Sequence, residues 1–234
     1  MMALPDPAAP AMSPETPETA TPAGLPALTT IEARILGSLI EKAATTPEAY
    51  PLTVNSLVLA CNQKTSRDPL MALESGEVGH ALRRMEQSRL VRIVDGARAQ
   101  RYDHRFSSIY SVTAAQQALL GLLLLRGPQT VPELLTRSER WHSFSGLDEL
   151  RQTLERLMQR SPTLVVNIGR AAGQREDRYM HLLCGPVDVE QLQASAKAGG
   201  GSEPRTGLEA RVEALEAAVD SLRAELSAMR SGSP

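Results

Sequence analysis

Apolar residues return at helical spacing at Ile31, Ile35, Leu36, Leu39 and Ile40, directly behind a Thr29-x-x-Glu32 pair. A threonine and a glutamate three residues on can exchange side-chain and backbone hydrogen bonds at a helix start, so the pattern predicts a capped first helix. After the loop 44–51, Thr53 is placed to cap a short second helix with Val54, Leu57, Val58 and Cys61 facing inward. A polar loop, Asn62 to Asp68, follows. Ser75 is then expected to cap a third helix, because Val78, Ala81, Leu82 and Met85 fall on one narrow arc. Leu90 to Val94 reads as a strand, Asp95-Gly96 as a turn and Arg101-Tyr102 as the start of a returning strand. Three helices followed by a hairpin is the order of a winged helix.

The order then repeats. Ala33 to Leu39 aligns without a gap on Gln117 to Leu123, Ala81 to Met85 parallels Thr153 to Leu157, and Arg101-Tyr102-Asp103-His104 parallels Arg178-Tyr179-Met180-His181. In the second copy Thr113-x-x-Gln116 and Thr130-x-x-Glu133 predict capping boxes, Leu147 to Met158 the third helix, and Leu164 to Ile168 the first wing strand. The expected fold is mainly α with small β-wings (α+β): a winged helix-turn-helix domain over 28–106, a second over 107–184, a linker over 185–207 and a coiled-coil helix over 208–230.

Within that last segment Leu208, Val212, Leu215, Val219, Leu222, Leu226 and Met229 alternate spacings of four and three. Val at two a positions and Leu at most d positions favour a parallel two-stranded coil, so Val212, Leu215, Val219, Leu222 and Leu226 are the candidate dimerisation residues. Arg211 with Glu216, and Glu225 with Arg230, suit g-to-e pairing across two chains. A lone amphipathic helix packed on the body is the alternative. Residues 1–27, rich in Pro, Ala, Thr and Glu, are expected to be a disordered tail.

Only 3% of residues are aromatic against 42% hydrophobic, so Leu, Val, Ala and Ile must do the packing, which suits small helical domains better than β-sandwiches. No apolar run reaches the roughly 18 residues of a membrane span, and nothing before Arg34 resembles a secretory or transit signal. A cytoplasmic protein that is not integral to a membrane is expected, with Cys61 and Cys184 as reduced core residues. The formal net charge of −2 hides an uneven distribution: 28–106 and 107–184 each come to +2, while 1–27 and 185–234 each come to −3. An anionic partner would therefore meet the middle of the chain.

His80, His104, His142, His181, Cys61 and Cys184 show no metal-ligand spacing, and no phosphate-loop, dinucleotide or nucleophile-elbow motif occurs, so neither enzymatic activity, a metal nor a cofactor is expected. The polar loop 62–67 has two readings. Lys64 and Arg67 suit phosphate oxygens, or else Asn62 caps the second helix and Arg67 pairs with Asp68 to tie the loop down. With Val78 inward, the third helix presents His80, Arg83 and Gln87 outward with Arg84 beside them, the face that a helix-turn-helix offers to a major groove. Arg92, Arg98, Arg101 and Arg105 cluster on the wing, where phosphate contacts are expected. Asp148, Gln152, Glu155 and Gln159 take the corresponding face in the second copy, and carboxylates there would repel phosphates.

Long stretches, among them Glu41 to Asn55, Ala60 to Lys64, Arg67-Asp68-Pro69, Leu124 to Thr130 and Arg178 to Leu183, resemble the signature of the YceH family over roughly residues 28–184. The resemblance implies a bacterial protein with two winged-helix domains and transfers no catalytic or ligand residues. Leu70 stands where Val is expected, and Gly76 where a larger polar residue is usual.

Two functions remain open on sequence grounds. One is a dimeric DNA-binding protein, a transcription regulator, that reads double-stranded DNA with its first winged helix and dimerises through the second and the coiled coil. The other is a scaffold or adaptor whose tandem modules bind other proteins, a reading favoured by the modest charge of each module.

Overall fold

The computed structural model describes residues 27–96, 99–170 and 175–188, and there the chain is mainly helical with two small antiparallel sheets. Helix α1 (Thr30–Thr45) is followed by a 3-10 turn (Pro47–Ala49), α2 (Val54–Cys61), α3 (Ser75–Gln87), β1 (Val91–Asp95), β2 (Gln100–His104) and α4 (Phe106–Tyr110). The pattern resumes with α5 (Ala114–Arg126), β3 (Gln129–Thr130), α6 (Val131–Ser138), α7 (Leu147–Met158), β4 (Val165–Gly169) and β5 (Arg178–His181). The expected mainly helical α+β class with β-wings is what the chain adopts.

Local chemistry sets most boundaries. At α1 the Thr29 backbone N–H donates to Glu32 Oε2 at 2.8 Å while the Glu32 N–H donates to Thr29 Oγ1 at 3.3 Å. Reciprocal boxes of the same kind open α5 and α6, at Thr113–Gln116 and Thr130–Glu133. One expected cap differs: α3 is capped by Glu74, whose N–H donates to Glu77 Oε2 at 2.8 Å, and Ser75 is the first helical residue. The Glu77 carboxylate reaches back to the backbone N–H of residue 74, which places the N-cap one position upstream of the serine. Cys61 is buried as expected, and burial raises the pKa of its thiol. Cys184 is exposed, on the outward side of the chain between buried Leu183 and buried Gly185.

The described residues fall into two compact units. The first holds 27–96, 99–167 and 178–187, so most of both expected winged-helix repeats lie in it and share one hydrophobic core. The second contributes 168–170, 175–177 and 188, where Arg170 Nε meets Asp177 Oδ1 at 3.2 Å. Within the described residues no helix is long and apolar enough to cross a membrane.

The shared core is organised by α1 and α5. From Glu32 to Glu41 every residue of α1 is buried, and Gln116 and Ala118 to Leu125 are buried on α5, so neither helix keeps a wide solvent face. They meet at paired glycines. A Cβ on Gly37 would lie 3.1 Å from Leu124 Cβ, and one on Gly121 would lie 3.0 Å from Ile40 Cγ2. Gly37 aligns on Gly121 and Ile40 on Leu124 in the sequence repeat, so the contact is reciprocal, as at the interface of a two-fold dimer.

The repeats also match at their sheets. Leu52 bridges Tyr102 in the first, and Gln129 pairs with Tyr179 in the second, each partner lying just ahead of a threonine that caps the next helix. His104 Nδ1 accepts from the Phe106 N–H at 3.4 Å and His181 Nδ1 from the Leu183 N–H at 3.3 Å. Both imidazoles therefore act in the neutral form. Burial lowers the pKa of each, and that of His181 falls to about 4.

Candidate nucleic-acid interface

Val78, Ala81, Leu82 and Met85 are buried beneath α3, and this rotation leaves His80, Arg83, Arg84 and Gln87 exposed. Among the described residues no carboxylate pairs with Arg83, whereas Arg84 Nε lies 3.3 Å from Glu32 Oε1. Glu77 and Glu86 are exposed on the flanks of the same helix. Gly76, near the centre of the outward face, has open space where a Cβ would stand, so no packing contact requires a glycine there.

Helix α3 packs on β1, which brings the outward face and the wing into one local assembly. Arg92 lies across the ladder from Asp103, and its Nε and Nη2 both reach Asp103 Oδ2 at 2.6 Å. Tyr50 OH donates to the other carboxylate oxygen at 2.7 Å and accepts from the His104 N–H at 2.8 Å. Arg101 donates to the Pro51 carbonyl at 2.7 Å. Both wing arginines are thus oriented while remaining exposed, Arg92 near the base of the hairpin and Arg101, opposite Val94, near its turn. Arg98 lies outside the described residues.

The connection between α2 and α3 is a strap fastened to the body. Asn62 is the C-cap of α2, and its side-chain amide exchanges two 2.8 Å hydrogen bonds with the backbone of Leu73. Arg67 is not on the surface. Its guanidinium meets both Glu41 oxygens at 2.6 and 3.2 Å and also donates to the Ala60 carbonyl, the Ser66 carbonyl and Gln63 Oε1. The local pairing with Asp68, one of the two readings of this loop, gives way to a longer-range one, because Glu41 is buried and needs a counter-ion. Arg67 therefore offers no donor to a phosphate, while Lys64 on the same strap is exposed. Buried Arg34, which sequence reading singled out only as part of a repeat, pins the far end by donating to the Cys61 and Pro69 carbonyls at 3.1 and 2.5 Å.

The second repeat presents different chemistry. Leu150, Thr153, Leu154 and Leu157 are buried under α7, and Asp148, Gln152, Glu155 and Gln159 are exposed, with Arg151 paired to Asp148 at 3.4 Å. The dimerisation candidates Val212, Leu215, Val219, Leu222 and Leu226 lie outside the described residues. Among the described residues no group of three or more His, Cys, Asp or Glu side chains is placed to hold a metal.

A sequence family described as "Protein of unknown function, DUF480" matches residues 28–174. The chain is 55% identical over 205 residues to UPF0502 protein mll4256 of Mesorhizobium japonicum, covering 88% of this chain and 97% of that one. It is 53% identical over 217 residues to a UPF0502 protein of Stenotrophomonas maltophilia, covering 92% and 99% of the two chains.

Proposed function

The chain belongs to the DUF480 family of proteins, whose relatives carry the name UPF0502, and from that premise we propose that it is a non-enzymatic DNA-binding protein, a cytoplasmic regulator that reads duplex DNA with its first winged helix. The YceH family that its motifs resemble is on this reading the same family. The observation that carries the proposal is the contrast between two equivalent helix faces: His80, Arg83 and Gln87 exposed on α3, against Asp148 and Glu155 exposed on α7.

Arg83 can donate twice to a guanine edge and Gln87 can bridge an adenine edge, while Arg92 and Arg101 supply wing contacts to phosphates. Gly76 and the α3 backbone beside it allow close approach to the duplex. The acidic face of α7 leaves the second repeat to hold subunits together, with the heptads of 208–230 as the second dimer element.

Salt-dependent titration of labelled genomic duplex fragments tests the reading. Arg83→Ala is expected to cost about 1–3 kcal/mol on a preferred site with little change in non-specific affinity. Arg101→Ala should weaken all duplexes alike and reduce the slope of log K against log salt by about one unit. If the wild-type chain binds no duplex at low salt, or if Glu155→Ala alters binding more than Arg83→Ala, the scaffold function takes its place.

A further inference from the structure

A cleft of about 410 Å³ opens where the two repeats meet, walled by the C-terminal turns of α1 and α5, the strap and the end of α6. Its charged lining is Lys42, Arg126, Arg137 and Arg140 against Glu41 and Glu139. Of the two acids, Glu41 is held by Arg67 at 2.6 Å and by Lys42 at 3.4 Å, while Glu139 is exposed beside Arg140. Arg137 is tied to Glu133 and Gln129 at 3.2 and 2.7 Å. Arg126 is different. It is half-buried, and among the described residues no carboxylate pairs with it; its Nη2 donates to Ser66 Oγ at 2.7 Å. Burial, then the positive charges of Arg137 and Arg67, lower its pKa from the ordinary arginine value.

Two further features shape the space. Ser66 is a non-glycine residue with φ 60°, in the left-handed region, and its hydroxyl stands against Arg126. Trp141, the chain's one tryptophan, lines the cleft while the Cζ3 and Cε3 atoms of its ring pack against Gly121, where a Cβ would stand 2.6 Å from Cζ3. The cleft therefore combines guanidinium groups in excess over acids, threonine hydroxyls from α1, the strap and α6, and one aromatic wall. Its volume lies within the roughly 300–1,000 Å³ of small-molecule sites.

We propose that this cleft binds a small organic phosphate with a planar ring, a ligand of the mononucleotide class. The phosphate sits between Arg126 and Arg140, which offer forked donors to its oxygens, and the ring stacks on Trp141. Such a ligand would touch the strap of the first repeat and α6 of the second at once. The site is separate from the α3 face, so it stands whether or not the chain binds DNA.

Because Trp141 is the single tryptophan, its fluorescence reports occupancy of the full-length chain directly. Titration with nucleoside 5′-monophosphates is expected to give saturable quenching, with inorganic phosphate at least about tenfold weaker because it lacks the ring. Arg126→Gln and, at an exposed position, Arg140→Gln should each weaken nucleotide binding about tenfold or more, whereas Arg83→Ala should leave it unchanged. The Arg140 variant guards against a fold defect in the first, and circular dichroism checks both. Absence of saturation with all four nucleotides, equal affinity for inorganic phosphate, or unchanged binding in both variants overturns the proposal. So does a matching loss of duplex affinity in both, which would make the cleft part of a DNA interface instead.

Discussion

Neutralising Glu41 should unfasten the strap. In Glu41→Gln the Arg67 guanidinium, whose side chain is 0% exposed, loses a carboxylate that meets it at 2.6 and 3.2 Å. Removing one partner of a buried pair typically costs about 3–5 kcal/mol, since the remaining charge is desolvated without compensation. Here Arg67 retains the Ala60 and Ser66 carbonyls and Gln63 as acceptors, which places the expected loss near the lower end, about 3 kcal/mol. For a chain of this size that corresponds to roughly 6–12 °C in Tm. Urea denaturation followed by far-UV circular dichroism should show a lower midpoint with an unchanged slope. The double variant Glu41→Leu, Arg67→Met removes both charges and should be less destabilised than the single change. A loss below about 1 kcal/mol in Glu41→Gln, or a double variant weaker than the single one, would refute the view that this pair anchors the strap.

Other outcomes follow from particular contacts. His181 is held neutral with a pKa near 4 against its ordinary 6.5, so the unfolded chain takes up the proton first as pH falls. Its contribution is fully present above about 6.5 and lost as pH falls toward 4, a few kcal/mol in all; His181→Asn should flatten stability measured between pH 7 and 5, and an unchanged slope would remove His181 as its source. Gly121→Ala should cost about 1–3 kcal/mol by pressing on Trp141 and Ile40, whereas Gly76→Ala, with open space around it, should gain up to about 1 kcal/mol, both read by thermal melts; the reverse order would contradict the packing described. Truncation after Pro204 should convert a dimer to a monomer by light scattering if the heptads form the dimer, and a mass still twice that of the truncated chain would shift that role to the second repeat.

The parts of the fold legible in the sequence are those fixed by local chemistry. Capping boxes at Thr29, Thr113 and Thr130 announce helix starts because both partners lie within one turn, and the inward arc of α3 follows from helical period alone. What escaped depends on contacts distant in sequence. The Ile31-to-Ile40 stripe implies a solvent face opposite it, yet α5 packs there and buries α1 along most of its length. Glu41, Arg34 and Arg67 look like surface charges until that packing encloses them. Of the candidate interface, α3 and the wing were identifiable from residue type and rotation, whereas Arg67 left it through a partner 26 positions away. The cleft was invisible because its walls come from four separate segments, although an isolated tryptophan near arginines was a signal available to sequence reading.

The reciprocal glycine crossing of α1 and α5 also bears on how such a chain can diverge. In a two-fold homodimer each substitution occurs twice and is felt on both sides of the interface, so the halves cannot specialise. Here the equivalent interface lies within one polypeptide, and each side is encoded separately. One half can gather arginines on its exposed helix while the other gathers carboxylates, without either change being imposed on its counterpart. Asymmetry of chemistry on a symmetric frame is thus open to a covalently joined pair in a way that it is not to two identical subunits.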